Sequence, residues 1–326
     1  SAPYVTGETD EACAAALAPA ATAWLVGQDV RELPRLAREL AARLPDTPAA
    51  RAALDMALHD LLAQKLRVPL VEMLGRAHAA LPTSITIGIK GVDETLAEAR
   101  EYLERGFRRL KVKLGRAVEE DIERVVRLRE MVGPTPPGIA TARGAGAGDG
   151  AAPGVGIRVD ANQGWSRDDL ARFLRETAAC GVELIEQPLP AADVAGLRAV
   201  PEPDRARLCA DEALRTPAEA WALAQPPRAC GLFNLKLMKC GGVAPALRIA
   251  AVADLAGIGL MWGCMDESVI SIAAALHAAL ACPATRYLDL DGSLDLARDV
   301  AAGGFVIEGG VMRIVDRPGL GLRALI

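Results

Sequence analysis

The chain has 326 residues, of which 51% are hydrophobic and 24% charged, with a formal net charge of -5. That size and apolar content supply core for one large or two modest globular domains, while the negative balance argues against nucleic acid as a main partner. No uncharged apolar run reaches the roughly 18 residues that a membrane-spanning helix needs. The opening segment, SAPYVTGETDEACAAALAPA, lacks the basic-then-apolar order of a secretion signal. Seven cysteines (Cys13, Cys180, Cys209, Cys230, Cys240, Cys264 and Cys282) are scattered and never spaced C-x-x-C. They read as reduced thiols of a cytoplasmic protein, neither a disulfide framework nor a zinc site.

In chain order, residues 1–80 read as helical, in DEACAAALAPAATAWL and PAARAALDMALHDLLAQKL. Residues 81–302 then repeat one unit. Short β-type runs fall at 83–89, 109–114, 156–162, 182–188, 206–212, 232–238, 259–265 and 286–292. Helical segments such as VDETLAEAREYLERG and SRDDLARFLRETAACG lie between them, and each ends in the glycine that commonly stops a helix. Asp160, Glu186, Asp211 and Lys236 follow one another at intervals of 26, 25 and 25 residues. Lys113 to Asp160 spans 47, and the excess is a Gly/Pro-rich stretch at 133–156, expected to be a flexible insertion. The tail, 303–326, reads as short strands and turns returning to the head.

Eight strands alternating with helices predict a closed parallel (β/α)8-type (TIM) barrel. No G-x-G-x-x-G follows an early strand, so the dinucleotide-binding fold lacks its fingerprint. Head and tail together suggest a smaller α+β domain capping the barrel mouth. Charged residues gather at the C-terminal ends of the strands, the face that carries the active site in such barrels. Asp160, Glu186 and Asp211 end three consecutive strands about 5 Å apart, so their carboxylates can converge. An all-oxygen set without His or Cys selects a hard cation, Mg2+ or as a substitute Mn2+. Lys111 and Lys113 are two apart and share a face, and Lys236 lies four strands on, on the opposite wall. A metal flanked by two lysines suits removal of a proton from carbon on one face and its return on the other, with the cation stabilising the enediolate between. Burial, the metal and Lys111 are expected to lower the pKa of the working lysine.

The ordered motifs KVKLG, IRVDANQGW, LIEQPL, CADEAL, NLKLMKCGG and GCMDES resemble the muconate-lactonizing enzyme subgroup of the enolase superfamily, from about residue 83 to the end. The resemblance implies a modified (β/α)7β barrel with a capping domain. It also implies metal ligands at Asp160, Glu186 and Asp211, and an acid/base pair at Lys113 and Lys236 with Lys111 as auxiliary lysine. GCMDES and the Asp289-x-Asp291 pair are most similar to the dipeptide epimerases, of the L-Ala-D/L-Glu type, in which the paired aspartates hold the substrate α-ammonium. Cys264, Met265 and Asp266 are expected beside the substrate. The family also implies a homo-oligomer and a capping sheet with a lid loop, which the opening SAPYVTGETDEA would follow.

Two other readings stay open. N-acylamino-acid racemases, o-succinylbenzoate synthases and muconate-type cycloisomerases share the triad and lysines, but their substrates carry no ammonium for Asp289 and Asp291. A truncated, inactive barrel acting as a binding protein is the alternative from a different class.

Overall fold

The structure, a computed structural model, describes residues 3–134 and 154–325. The expected insertion at 133–156 therefore lies, apart from its ends, outside the described residues. After a short strand β1 (Leu81–Pro82) come eight parallel strands: β2 (Ile85–Ile87), β3 (Arg109–Lys113), β4 (Gly156–Asp160), β5 (Val182–Glu186), β6 (Leu208–Ala210), β7 (Leu232–Leu235), β8 (Gly259–Gly263) and β9 (Thr285–Asp289). They pair in sequence order. A parallel bridge between Thr83 and Leu288 joins the last strand to the first, with Ser84 N–H donating to Leu288 O at 2.9 Å. The expected barrel is present, and with seven helical crossovers and none after β9 it is the (β/α)7β variant.

Local chemistry explains the helices. Ser166 with Asp169, and Thr216 with Glu219, form capping boxes at the starts of Arg167–Glu176 and Pro217–Ala224. The strands β4, β5, β7 and β8 are buried on both faces, as parallel strands between helices and a filled interior must be. One large core lies between barrel and helices, and Leu184, Cys209, Leu232 and Met261 with Tyr287 form a separate small one. The side chain of Arg158 adds to it, stacked 4.7 Å over the Tyr287 ring and paired with Glu183 at 2.9 Å. Between Ile157↔Val182 and Val159↔Ile185 strand β5 spends three residues to two in β4, a bulge that sets Glu183 and Leu184 opposite Arg158.

Most strands stop earlier than their sequence runs. The run at 232–238 ends at Leu235, and Lys236 caps a short helix, Leu237–Cys240, closed by Gly241 and Gly242 at φ 90° and 115°. The reason lies in the head. Helix Pro48–Leu66 packs over this turn. Arg51 Nη2 donates to Cys240 O at 3.3 Å, and Asp55 Oδ2 accepts from Val243 N at 2.6 Å and Ala244 N at 3.2 Å. A Cβ on Gly242 would stand 2.4 Å from Asp55 Oδ2.

The same helix receives both chain ends. Glu8 accepts from Ala49 N and Ala50 N at its start, and Asp60 Oδ1 accepts from Leu320 N at 2.7 Å. The tail forms β10 (Ala301–Gly303), β11 (Phe305–Glu308), β12 (Val311–Ile314) and β13 (Leu322–Ala324), with β12 pairing to β1 and β11, and β10 to β13. Among the described residues no helix is long and apolar enough to cross a membrane.

Asp55 is buried and caps the helix Val243–Ala256, so Asp55→Ala is expected to cost about 1–3 kcal/mol through stranded N–H groups, read as a lower Tm. Its partner His59 adds a pH dependence. Burial pulls the imidazole down, but the hydrogen bond to and charge of Asp55 outweigh this and raise its pKa above 6.5. The stability His59 contributes is therefore full below about pH 6.5 and lost as pH rises through the higher folded value. The Tm deficit of His59→Gln is accordingly larger at pH 5.5 than at pH 8.5.

Candidate active site

The C-terminal ends of the strands bring the expected side chains together by register. Lys113 is paired to Asp160, and Asp160 to Glu186, across β3, β4 and β5. Asp211 and Lys236 each stand one residue past β6 and β7. Asp160, Glu186 and Asp211 are buried, as are Lys111, Lys236, Asp289 and Asp291, and Lys113 is half-buried.

These groups form one ionic network. Lys111 Nζ lies 2.7 Å from Asp289 Oδ2, 2.8 Å from Glu186 Oε2 and 3.3 Å from Asp160 Oδ2. Lys113 Nζ donates to Asp160 Oδ2 at 2.7 Å, and Lys236 Nζ to Asp211 Oδ2 at 2.8 Å. Glu186 Oε1 accepts from Asn234 Nδ2 at 2.6 Å, while its Oε2 and Asp289 Oδ1 are buried without a hydrogen bond. For Glu186 Oε2 the contact with Lys111 is thus a close charge pair, not an aligned hydrogen bond. With each carboxylate turned to an ammonium, no three carboxylate, imidazole or thiol groups among the described residues share a single ligand centre.

The charge balance is uneven. Burial, and next the charge of Asp160, push Glu186 up to about 7 despite Lys111. Burial likewise acts to raise Asp160 and Asp211, but the lysines facing them hold both below the usual carboxylate range. At Lys236 the carboxylates act against the burial and Lys111 expected to lower it. Burial does act to lower it, but Asp211 and Glu186 outweigh burial and hold it above an ordinary lysine, as an ammonium. Lys111 is raised in the same way by Asp289, Glu186 and Asp160.

The second acidic pair sits beside this network. Asp291 Oδ2 accepts from Thr86 N at 2.7 Å, and burial with the neighbouring Asp289 pushes Asp291 up to about 7. Cys264 holds the pair's loop in place: its thiol donates to Asp289 O at 3.2 Å and accepts from Gly292 N at 3.3 Å. Met265 is half-buried, Asp266 is exposed, and buried Glu267 accepts from Met265 N and from the Ser271 hydroxyl. His277 and His59 are buried packing groups, bonded to Val71 N and Asp55 O respectively.

Four participants escaped the sequence reading. Asn234, which holds Glu186, lies two residues before Lys236 and so shares its face, a period-two signal in the sequence itself. Lys239 reaches Asp211, and Gln187 Oε1 accepts from Asp211 N at 2.9 Å. Glu212 is raised by burial and by Asp211 and Asp160. The last three point inward because of turns whose geometry no strand or helix period encodes.

The linkage for Asp291 has a definite sign. A carboxyl raised in the folded state contributes stability below its unfolded value near 4 and loses it as pH passes about 7. Asp291→Asn is therefore expected to raise Tm over the parent chain at pH 8.5, with no gain at pH 5.

Comparison with known proteins places this arrangement. Residues 94–324 match the family described as enolase C-terminal domain-like, and residues 2–75 match the mandelate racemase/muconate lactonizing enzyme N-terminal domain. An L-Lys-D/L-Arg epimerase from Methylococcus capsulatus is 62% identical over 98% of this chain and 84% of its own length. An L-Ala-D/L-Glu epimerase from Clostridium acetobutylicum is 33% identical over 98% of this chain and 85% of its own. The crystal structure of the dipeptide epimerase from Methylococcus capsulatus with Mg and L-Arg-D-Lys superposes with a TM-score of 0.90 at 62% identity, covering 98% of this chain and 85% of that one.

Proposed function

The chain belongs to the mandelate racemase/muconate lactonizing enzyme family of the enolase superfamily, and from that premise we propose that it is a Mg2+-dependent dipeptide epimerase acting on dipeptides with cationic side chains. One observation carries the reaction type: Lys113 and Lys236 reach the same carboxylate cluster from β3 and from the end of β7, four strands apart in an eight-stranded barrel. Two proton-carrying groups on opposite walls are what inversion at a carbon requires.

Asp160, Glu186 and Asp211 would hold the Mg2+. They supply only oxygen donors and are nearly sealed from water. Glu186 also keeps one oxygen without a hydrogen bond and a raised pKa that a cation would relieve. Mn2+ fits the same donor set. Bound there, the metal supplies Lewis-acid stabilisation of the negative charge that grows on the substrate carboxylate as the α-proton leaves. Lys236, kept as an ammonium by Asp211, is ready to deliver a proton, while Lys113 on the other wall removes one; the reverse reaction exchanges the roles. Lys111 is held by three carboxylates and acts as a fixed positive charge. Asp289 and Asp291 take the α-ammonium of the dipeptide, for which Asp289 Oδ1 has no hydrogen-bond partner among the described residues.

The L-Ala-D/L-Glu preference expected from the motifs gives way to a cationic one, because the relative named for Lys and Arg shares 62% of its sequence with this chain and the one named for Ala and Glu 33%. A homo-oligomer and a cytoplasmic setting complete the reading, supported by exposed Trp221 and Leu255 and by free cysteines.

The test is deuterium incorporation from D2O into a mixed L,L-dipeptide library, with Mg2+ and with EDTA. Metal-dependent gain of one deuteron in Lys- and Arg-containing dipeptides is the expected result. Exchange in N-succinyl amino acids instead would place the chain with the N-acyl racemases. Asp291→Asn is expected to lower kcat/KM for dipeptides about 100-fold, the loss of a buried partner to a charge at roughly 2–5 kcal/mol. Undiminished turnover would refute the ammonium role. Lys113→Met and Lys236→Met should each abolish epimerisation yet leave exchange at the α-carbon of one configuration.

A further inference from the structure

Lys239 is buried on the short helix Leu237–Cys240, and its ammonium is turned to Asp211 and the Asn234 carbonyl. Its three donors meet three oxygens: Asp211 Oδ1, Asp211 O at 2.6 Å and Asn234 O at 3.1 Å. Lys236 takes the other carboxylate oxygen of Asp211, Oδ2. Asn234, whose carbonyl Lys239 holds, donates its side-chain amide to Glu186 Oε1. One ammonium thus fixes the ends of β6 and β7, one carboxylate directly and a second through the residue that orients it. The helix carrying Lys239 is itself pinned by Arg51 on Cys240 O and by Asp55 on Val243 N.

Burying an ammonium is costly, and an apolar side chain of similar volume often serves stability as well or better. Its retention here needs a reason beyond packing. We propose that Lys239 is a positioning residue for the metal site, occupying one oxygen of Asp211 so that only the other faces the pocket, and fixing through Asn234 the orientation of Glu186. The proposal rests on the reading of Asp211 as a Mg2+ ligand. Without Lys239, Asp211 Oδ1 loses its ammonium and is held through Oδ2 by Lys236 alone, and the Asn234 and Asp211 carbonyls lose this donor, the latter keeping Leu214 N at 2.9 Å.

The sign of the effect on metal affinity separates positioning from plain electrostatics. Loss of a nearby positive charge alone would tighten Mg2+ binding, whereas loss of positioning weakens it. The experiment is calorimetric titration of Mg2+ into the full chain stripped with EDTA, for the parent, Lys239→Met, Lys239→Arg and Asp211→Asn, with thermal unfolding in EDTA to show that each is folded. Lys239→Met is expected to weaken Mg2+ binding at least tenfold. Lys239→Arg, which keeps the charge but cannot bring one nitrogen to all three oxygens, is expected to fall between Lys239→Met and the parent. Unchanged or tighter binding in folded Lys239→Met overturns the proposal. If that variant does not fold, unchanged binding in Lys239→Arg overturns it. Parent-like affinity in Asp211→Asn would instead remove the ligand reading, and this inference with it.

Discussion

Everything at the mouth of this barrel follows from one constraint: carboxylates and lysines are buried together at strand ends, away from water. Asp160, Glu186 and Asp211 would repel one another if left alone, and four lysines (Lys111, Lys113, Lys236 and Lys239) divide them into pairs. The division is unequal. Asp211 has two ammoniums and Asp160 two, while Glu186 shares Lys111 with Asp289 and leans on a neutral amide for the rest. Glu186 is accordingly the member driven up to about 7. Glu186, on β5, stands midway between β3 and β7, the walls that carry Lys113 and Lys236.

Such a network holds its shape only if its supports are rigid. Barrel register supplies half of that: the pairings Lys113↔Asp160 and Asp160↔Glu186 are set by backbone hydrogen bonding. The other half comes from outside the barrel. Helix Pro48–Leu66 clamps the turn after β7 with Arg51 and Asp55, and it holds the tail with Asp60. A segment remote in sequence therefore bears on the position of Lys236 and Lys239. The two glycines at 241 and 242 let that clamp close, since a side chain at either would strike Arg51 or Asp55.

Most of the fold was legible because the barrel repeats. The charged residues ending β4 to β7 recur at near-constant spacing, and register then places Asp160, Glu186, Asp211 and Lys236 in space, while Lys111 and Lys113 are legible from their period-two spacing on one strand. What escaped reading depends on tertiary contact. Nothing in the strand or helix period singles out Lys239, and only the glycine turn after it brings it to Asp211. Cys264 reads as a substrate neighbour, but its sulfur ties the loops after β8 and β9 together. Burial and Lys111 do act to lower Lys236 as expected, and the carboxylates of Asp211 and Glu186, which the strand period does not put at hydrogen-bond distance, act the other way.

The substrate preference has its own electrostatic logic. Asp289 already serves Lys111 through Oδ2, leaving Oδ1 buried and unpartnered, and Asp291 is held near neutrality by burial beside it. A ligand without a positive charge would have to sit against that orphaned oxygen and gain nothing. A dipeptide brings an ammonium with several donors, which satisfies Oδ1 and favours ionisation of Asp291 in the same step. In the proposed role, the destabilised acidic pair would discriminate less by attracting the right substrate than by penalising every substrate that leaves it unpaired. In that proposed role, the same pair that weakens the fold at alkaline pH would make a free α-ammonium the feature selected.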